Sequence, residues 1–222
     1  MRLAEPLRGS GPPIVLLHGV LRSTAAWRGV AQRLHAAGRT VILAEDEDHA
    51  RAPNDAAADL IALMGEGAHL VGHSRGGTVA SWVAAERPEL ARSLVLIASP
   101  PDVSETFRAH FRALRKKADS AEDERTFDAL SRLPEDAWPG LALRRYQGRA
   151  LVIEAEDDPL YSPRHTLFWR TYLPYADFER VPGGHEFFTE SAEQEAWLAE
   201  RLLRHVRDAE LPDQRGHDRS TL

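Results

Sequence analysis

A chain of 222 residues, 43% hydrophobic and 28% charged, is long enough to bury a substantial core in one domain and argues against two independent ones. Its formal net charge of −6 offers no basic field for a polyphosphate, which argues against nucleic acid as a partner. Without cysteine, disulfides, thiolate metal sites and a cysteine nucleophile are excluded. Residues 1–13 hold no apolar core of signal-peptide length, and nowhere do about 18 apolar residues run together. A soluble, cytoplasmic protein without a membrane span is therefore expected.

In chain order, apolar runs of strand length alternate with stretches of helical period, the pattern of a mostly parallel sheet covered by helices on both faces. The first strand, Ile14 to Leu17, ends in His18-Gly19-Val20. Ser23 then caps a helix with Trp27, Val30, Ala31 and Leu34 on one face, which Gly38 ends. After a strand over residues 40–43 comes the acidic segment Ala44 to Arg51. It reads as a solvated loop or, near a pocket mouth, as a barrier to anionic substrates. Asn54 is placed to cap a second helix carrying Leu60, Leu63 and Met64. A strand through Ala68, Leu70 and Val71 leads to Ser74, followed by a helix with Val79, Trp82 and Val83, a stop at Pro88 and a strand over residues 94–98.

Residues 100–147 break the alternation. They show no convincing strand but two amphipathic stretches, Phe107, Phe111 and Leu114, then Phe127, Leu130 and Leu133. The basic run Arg112, Arg115, Lys116 and Lys117 reads as a solvated helix face. Beyond it come a buried strand over residues 150–153, a helix opened by Ser162-Pro163, a short strand over residues 178–181, and a last helix. That helix starts near Ser191, spaced to Gln194 as in a capping box, and buries Leu198, Leu202 and Val206. Residues 211–222 are polar and aperiodic and read as a fraying tail.

The chemistry centres on residues 72–76, Gly-His-Ser-Arg-Gly, a G-x-S-x-G pentapeptide between a strand and a helix. A serine on such a sharp turn is presented at the sheet edge, and the flanking glycines permit the close backbone approach the turn needs. Serine is a weak nucleophile. It needs a base within hydrogen-bond reach, a carboxylate to orient that base, and donors for the oxyanion formed on acyl attack. Glu154, Glu156, Asp157 and Asp158 follow one strand. Pro182-Gly183-Gly184-His185 presents a histidine after the next, and the loop His18-Gly19-Val20 offers a backbone N–H. His49, His69, His165, His205 and His217 are scattered with no H-E-x-x-H, so no metal is expected. Neither a phosphate-binding G-x-x-x-x-G-K-[ST] nor a G-x-G-x-x-G after the first strand is present, and no cofactor is expected.

Taken in the order serine, acid, histidine, this constellation resembles the α/β-hydrolase fold family over roughly residues 10–207. The resemblance implies Ser74 as nucleophile, His185 as base and Asp158 as acid, with Asp157 as the alternative, Ala155 standing where relatives have glycine. It implies oxyanion donors at the backbone N–H groups of Val20 and Arg75. It also implies a core of residues 1–99 and 148–210 and a helical lid over residues 100–147; the segment of about a dozen residues before the first strand departs from the family pattern and leaves the first hairpin shortened or lost. Lid residues Phe107, Phe111 and Phe127, with His18 and His73, are the candidate substrate contacts. His18 has the rival role of organising the oxyanion loop, and His73 that of packing. The implied activity is cofactor-free hydrolysis of a small, partly apolar ester, thioester or lactone through an acyl-enzyme. The same triad serves carbon–carbon bond hydrolases and lyase-like enzymes, and the fold also serves non-catalytic ligand binding. The substrate and the oligomeric state are not legible in the residues.

Overall fold

Seven strands build one sheet in this computed structural model, which describes residues 1–160 and 163–211. They are β1 (Arg2–Leu3), β2 (Ser10–Leu17), β3 (Arg39–Glu45), β4 (Ala68–His73), β5 (Ala91–Ile97), β6 (Arg149–Ala155) and β7 (Asp177–Val181). Their spatial order is β1-β3-β2-β4-β5-β6-β7, and every pairing is parallel except β1 with β3. The shortened first hairpin is thus an edge strand of two residues, continued only by an isolated bridge between Leu7 and Val41.

The helices are α1 (Arg28–Ala36), α2 (Pro53–Leu63), α3 (Arg75–Glu86), α4 (Glu105–Arg115), α5 (Ala121–Ser131), α6 (Pro163–Tyr172) and α7 (Ala192–Glu210). Because β-strand side chains alternate, each central strand feeds two cores. Val15, Leu17, Leu70, Leu94, Leu96 and Val152 pack with α2, α3 and α6. Ile14, Leu16, Val71, Val95, Ile97, Leu151 and Ile153 pack with Trp27, α1 and α7. Cover on both faces is why these strands read as unbroken apolar runs rather than as alternation. Among the described residues no helix is long and apolar enough to cross a membrane.

Three sequence expectations need adjustment. Asn54 does not cap α2: the helix begins at Pro53 with Ala52 in the cap position, because proline's fixed φ and missing N–H suit the first turn. Leu63 is exposed rather than core, and Met64 lies just past the helix end. The first strand starts four residues earlier than expected, with an irregular register between Ser10 and Ile14 where Gly11 takes φ 73°. Ser23 accepts from Ala25 N–H as a cap, though onto a turn of 3-10 helix (Thr24–Trp27) that leads into α1. Ser191 caps α7, its Oγ accepting from Gln194 N–H at 3.1 Å. Ser162 and residues 212–222 of the expected tail lie outside the described residues.

Between β5 and β6, α4 and α5 form an antiparallel pair with an apolar cluster of their own: Val103, Phe107, Phe111, Leu130, Leu133, Ala137 and Trp138. Val20 and Ala52 of the main body pack against it. Two indoles tether this unit, Trp82 Nε1 donating to Ala137 O at 2.8 Å and Trp138 Nε1 to Pro100 O at 2.6 Å. In the basic run, Arg112 pairs with Glu105, and Arg115 with Glu124 and Asp128, all on α4 and α5, as befits a solvated face.

Candidate active site

The switch in strand order lies between β2 and β4, where the chain winds away in opposite directions; in open parallel sheets ligands bind outside the carboxyl ends of strands at such a point. His18-Gly19-Val20 leaves β2 there and Ser74 leaves β4. Ser74 adopts φ 52° and ψ −121°, a conformation that a non-glycine residue holds only when its surroundings impose it. Its N–H donates to Ile97 O of β5 at 2.9 Å, and its carbonyl accepts from Gly77 N–H at 2.9 Å. A Cβ on Gly72 would come 2.3 Å from Gly76 O, and one on Gly76 would come 2.4 Å from Leu17 O. Both glycines are therefore required by backbone contact. Arg75 opens α3, so its N–H belongs to the first turn, where helix geometry supplies no acceptor and the dipole favours negative charge.

The four acids at and just beyond the end of β6 separate cleanly. Glu156 and Asp157 are exposed, and their N–H groups donate to Val181 O and Gly183 O, continuing the pairing with β7. Glu154 is buried and accepts from Thr166 Oγ1 at 2.8–2.9 Å. Asp158 is buried, with Oδ1 accepting from Leu160 N–H at 2.8 Å and Oδ2 lying 2.8 Å from His185 Nδ1. With Asp158 ionised, His185 donates through Nδ1 and keeps Nε2 available as an acceptor. Among the described residues no hydrogen bond joins His185 to Ser74 Oγ. Catalytic hydrogen bonds are often loose without a substrate and tighten when one binds.

His73 sits beside this pair. Its Nε2 donates to His185 O at 2.8 Å, its ring lies 4.9 Å from the His185 ring, and it meets Phe188 edge-on. Burial above all, with the nearby His185 charge, lowers its pKa to about 3, so it is a neutral strut under the histidine loop. His18 is also buried. Its Nδ1 donates to Gly19 O at 2.9 Å and its Nε2 accepts from Asp46 N–H at 3.1 Å, which orders the Val20 loop. Phe107 and Phe111 are spent on each other and on Trp138 and Phe127 inside the helical insertion. His110 of the insertion is in electrostatic reach of His185 and Asp158. Its pKa is lowered mainly by burial and then by His185, with Asp158 opposing. Nothing in its sequence neighbourhood marks it except its place one residue before Phe111.

The acidic loop after β3 corrects the sequence reading. Glu47 and Asp48 are exposed and paired with Arg2 and Arg125, but Asp46 is buried and takes the guanidinium of Arg75 on one oxygen and that of Arg51 on the other. It is neither a solvated acid nor a repulsive one. A narrow cavity is lined by Asp158 with Ser99, Glu154, Leu160 and His165, and its lining does not include Ser74. Among the described residues no group of acids and histidines could hold a metal.

Residues 46–121 match the profile of a family described as alpha/beta hydrolase fold. An sn-1-specific diacylglycerol lipase of Danio rerio is 26% identical over 182 residues, 71% of this chain and 56% of the lipase. A pimeloyl-[acyl-carrier protein] methyl ester esterase of Aeromonas salmonicida is 35% identical over 102 residues, 42% of this chain and 40% of the esterase. The chain thus spans about half the length of the curated relatives it matches. A thermophilic esterase from Thermogutta terrifontis superposes with a TM-score of 0.72 at 19% identity, covering 94% of each chain. From its parallel sheet, the serine turn after β4 and these likenesses, the chain has the α/β-hydrolase fold.

Proposed function

We propose that the protein is a serine hydrolase of a small, partly apolar carboxylic ester, thioester or lactone, working through an acyl-enzyme without a cofactor. The observation that carries this reading is the 2.8 Å contact of Asp158 with His185 Nδ1, together with a serine held at φ 52° at the N-cap of α3. In the proposed cycle, His185 Nε2 takes the Ser74 proton as Oγ attacks the acyl carbon, and Asp158 fixes the tautomer and stabilises the imidazolium. The N–H groups of Val20 and Arg75 and the positive end of α3 hold the tetrahedral oxyanion. His185 then returns the proton to the leaving group, and water it activates releases the acid. Residues 100–147 act as a cap that packs against Val20 and excludes water from Ser74. The names of the Danio and Aeromonas relatives, a lipase and a methyl ester esterase, both point to carboxylic esters.

The test is a panel of p-nitrophenyl esters of graded acyl length, run with fluorophosphonate labelling of the parent and of Ser74→Ala. The expected outcome is labelling at Ser74, turnover with an optimum at short to medium chains, and loss of both in the variant. Turnover by Ser74→Ala within tenfold of the parent would remove the nucleophile. A folded parent that neither labels nor turns over would make the fold a binding module instead.

A further inference from the structure

We propose that Asp46 is a positioning residue that holds both oxyanion donors in one arrangement, an inference that rests on the serine-hydrolase reading. The two donors belong to different elements: Val20 follows β2 and Arg75 begins α3. One segment, residues 45–51 from the last residue of β3 onward, grips both. On the Arg75 side, the guanidinium is buried and donates to Asp46 Oδ2 through Nη1 and to Arg51 O at 3.1 Å through Nη2. Arg51 closes the group: its Nε lies 3.4 Å from Asp46 Oδ1 and its Nη1 2.7 Å from Asp59 Oδ2. On the Val20 side, Asp46 N–H donates to His18 Nε2 at 3.1 Å, and that ring donates onward to Gly19 O at 2.9 Å. His49 Nδ1 accepts from Leu21 N–H at 3.1 Å, and Glu45 Oε2 from Thr24 N–H at 3.0 Å.

The segment is thus tied on one side to residues 18–24 and on the other to the side chain of Arg75. Asp46 is where the two sets of ties meet, its carboxylate on the Arg75 side and its N–H on the His18 side. Leu21 needs that support, because it holds φ 53°, a left-handed conformation costly for leucine. A buried guanidinium that loses its carboxylate seeks solvent or a new partner, and its own backbone N–H turns with it. An oxyanion hole depends on donors already aimed at the developing charge, so slack on either side lowers turnover more than substrate binding.

The experiment measures kcat and KM on p-nitrophenyl acetate, inhibition by phenylboronic acid, which mimics the tetrahedral adduct, and amide hydrogen exchange. The proteins are the parent, Asp46→Asn, Arg75→Met and the double variant Asp46→Leu/Arg75→Met, whose apolar pair fills the site without a buried charge should the single variants fold poorly. Exposed Glu47→Gln on the same segment is the control and should stay within about twofold of the parent. Asp46→Asn should lower kcat by ~10- to 100-fold, short of the ~10²–10³ typical for outright loss of a donor, with KM within about twofold. The boronate inhibition constant should rise by the same factor, and the amides of residues 19–22 should exchange faster. Arg75→Met and the double variant should cost about as much as Asp46→Asn, since all three break one unit. The proposal is overturned if Asp46→Asn raises KM with kcat intact, if the two single losses multiply in the double variant, or if exchange at residues 19–22 is unchanged. A parent without ester turnover overturns the serine-hydrolase reading instead, and exchange then decides alone whether Asp46 orders the two loops.

Discussion

Asp158 has no oxygen to spare: Oδ2 serves His185 and Oδ1 serves Leu160 N–H. An asparagine there must either turn its NH2 toward Leu160 N–H, donor against donor, or toward His185. The second choice makes Nδ1 an acceptor and leaves Nε2 protonated, unable to take the Ser74 proton. Asp158→Asn should therefore cost on the order of 10⁴-fold in kcat on an ester. Asp157→Asn should stay within about twofold, because Asp157 contributes only its backbone N–H, to Gly183 O at 3.0 Å. Comparable losses for the two variants would dissolve the assignment. The order serine, acid, histidine of the candidate site was legible in the sequence because each residue follows a recognisable strand. The choice among four clustered acids was not legible from spacing alone, since it is made by the turn after Ala155, which sends Asp157 outward and Asp158 inward. Asp46 was hidden more deeply. An acid amid Glu45, Glu47 and Asp48 reads as solvated until its partner, 29 residues on, is brought beside it by the β3–β2–β4 packing.

At the scale of elements, the central strands were read well because burial on both faces makes their middles apolar, and helix starts less well because a cap depends on local backbone more than on residue type. The two amphipathic stretches of residues 100–147 do form α4 and α5, but their apolar faces meet each other, a pairing that periodicity cannot assign. Phe107 is the keystone of that small core, touching Phe111 and Trp138 at ring distances of 4.7 and 5.3 Å. Phe107→Ala leaves a cavity that the cluster's few remaining side chains cannot close. A loss of ~3–5 kcal/mol is expected from such a truncation. Because the cluster is separate from the two sheet cores, the loss should appear as local opening. Amide exchange should quicken across residues 103–138, while β4, β5 and β6 keep the parent's protection. Uniform loss of protection over the whole sheet would show that the insertion and the core unfold as one.

At the scale of the molecule, the two-faced sheet buries histidines far from solvent, and this sets how the fold answers to acid. His69 is shielded by α7, its Nδ1 2.9 Å from Ser93 Oγ, and burial lowers its pKa to about 4 against the pull of Glu210. His73 is lowered to about 3, His49 to about 4, and His110 and His165 move in the same direction, each chiefly through burial. An unfolded chain protonates these rings near their ordinary value of about 6.5, so below it the unfolded state binds more protons than the native one. The stability they contribute is complete above about pH 6.5 and is lost as pH falls through the window down to about 4 for His69 and about 3 for His73. Within that window each fully buried ring contributes a slope of ~1.4 kcal/mol per pH unit. Carboxylates held low by arginines, such as Asp59 and Glu210, add to the loss only below their own ordinary range, and Asp102, raised by burial, opposes it. The Tm measured by calorimetry should therefore stay nearly level from pH 8 to 7 and fall steadily from 6.5 to 4.5. His69→Gln, which cannot take up the proton in the unfolded chain, should flatten the fall by one ring's share. A Tm that holds constant from pH 6.5 to 4.5 would mean that these rings can be protonated without disturbing the fold, and that the sheet is more open to water than its packing implies.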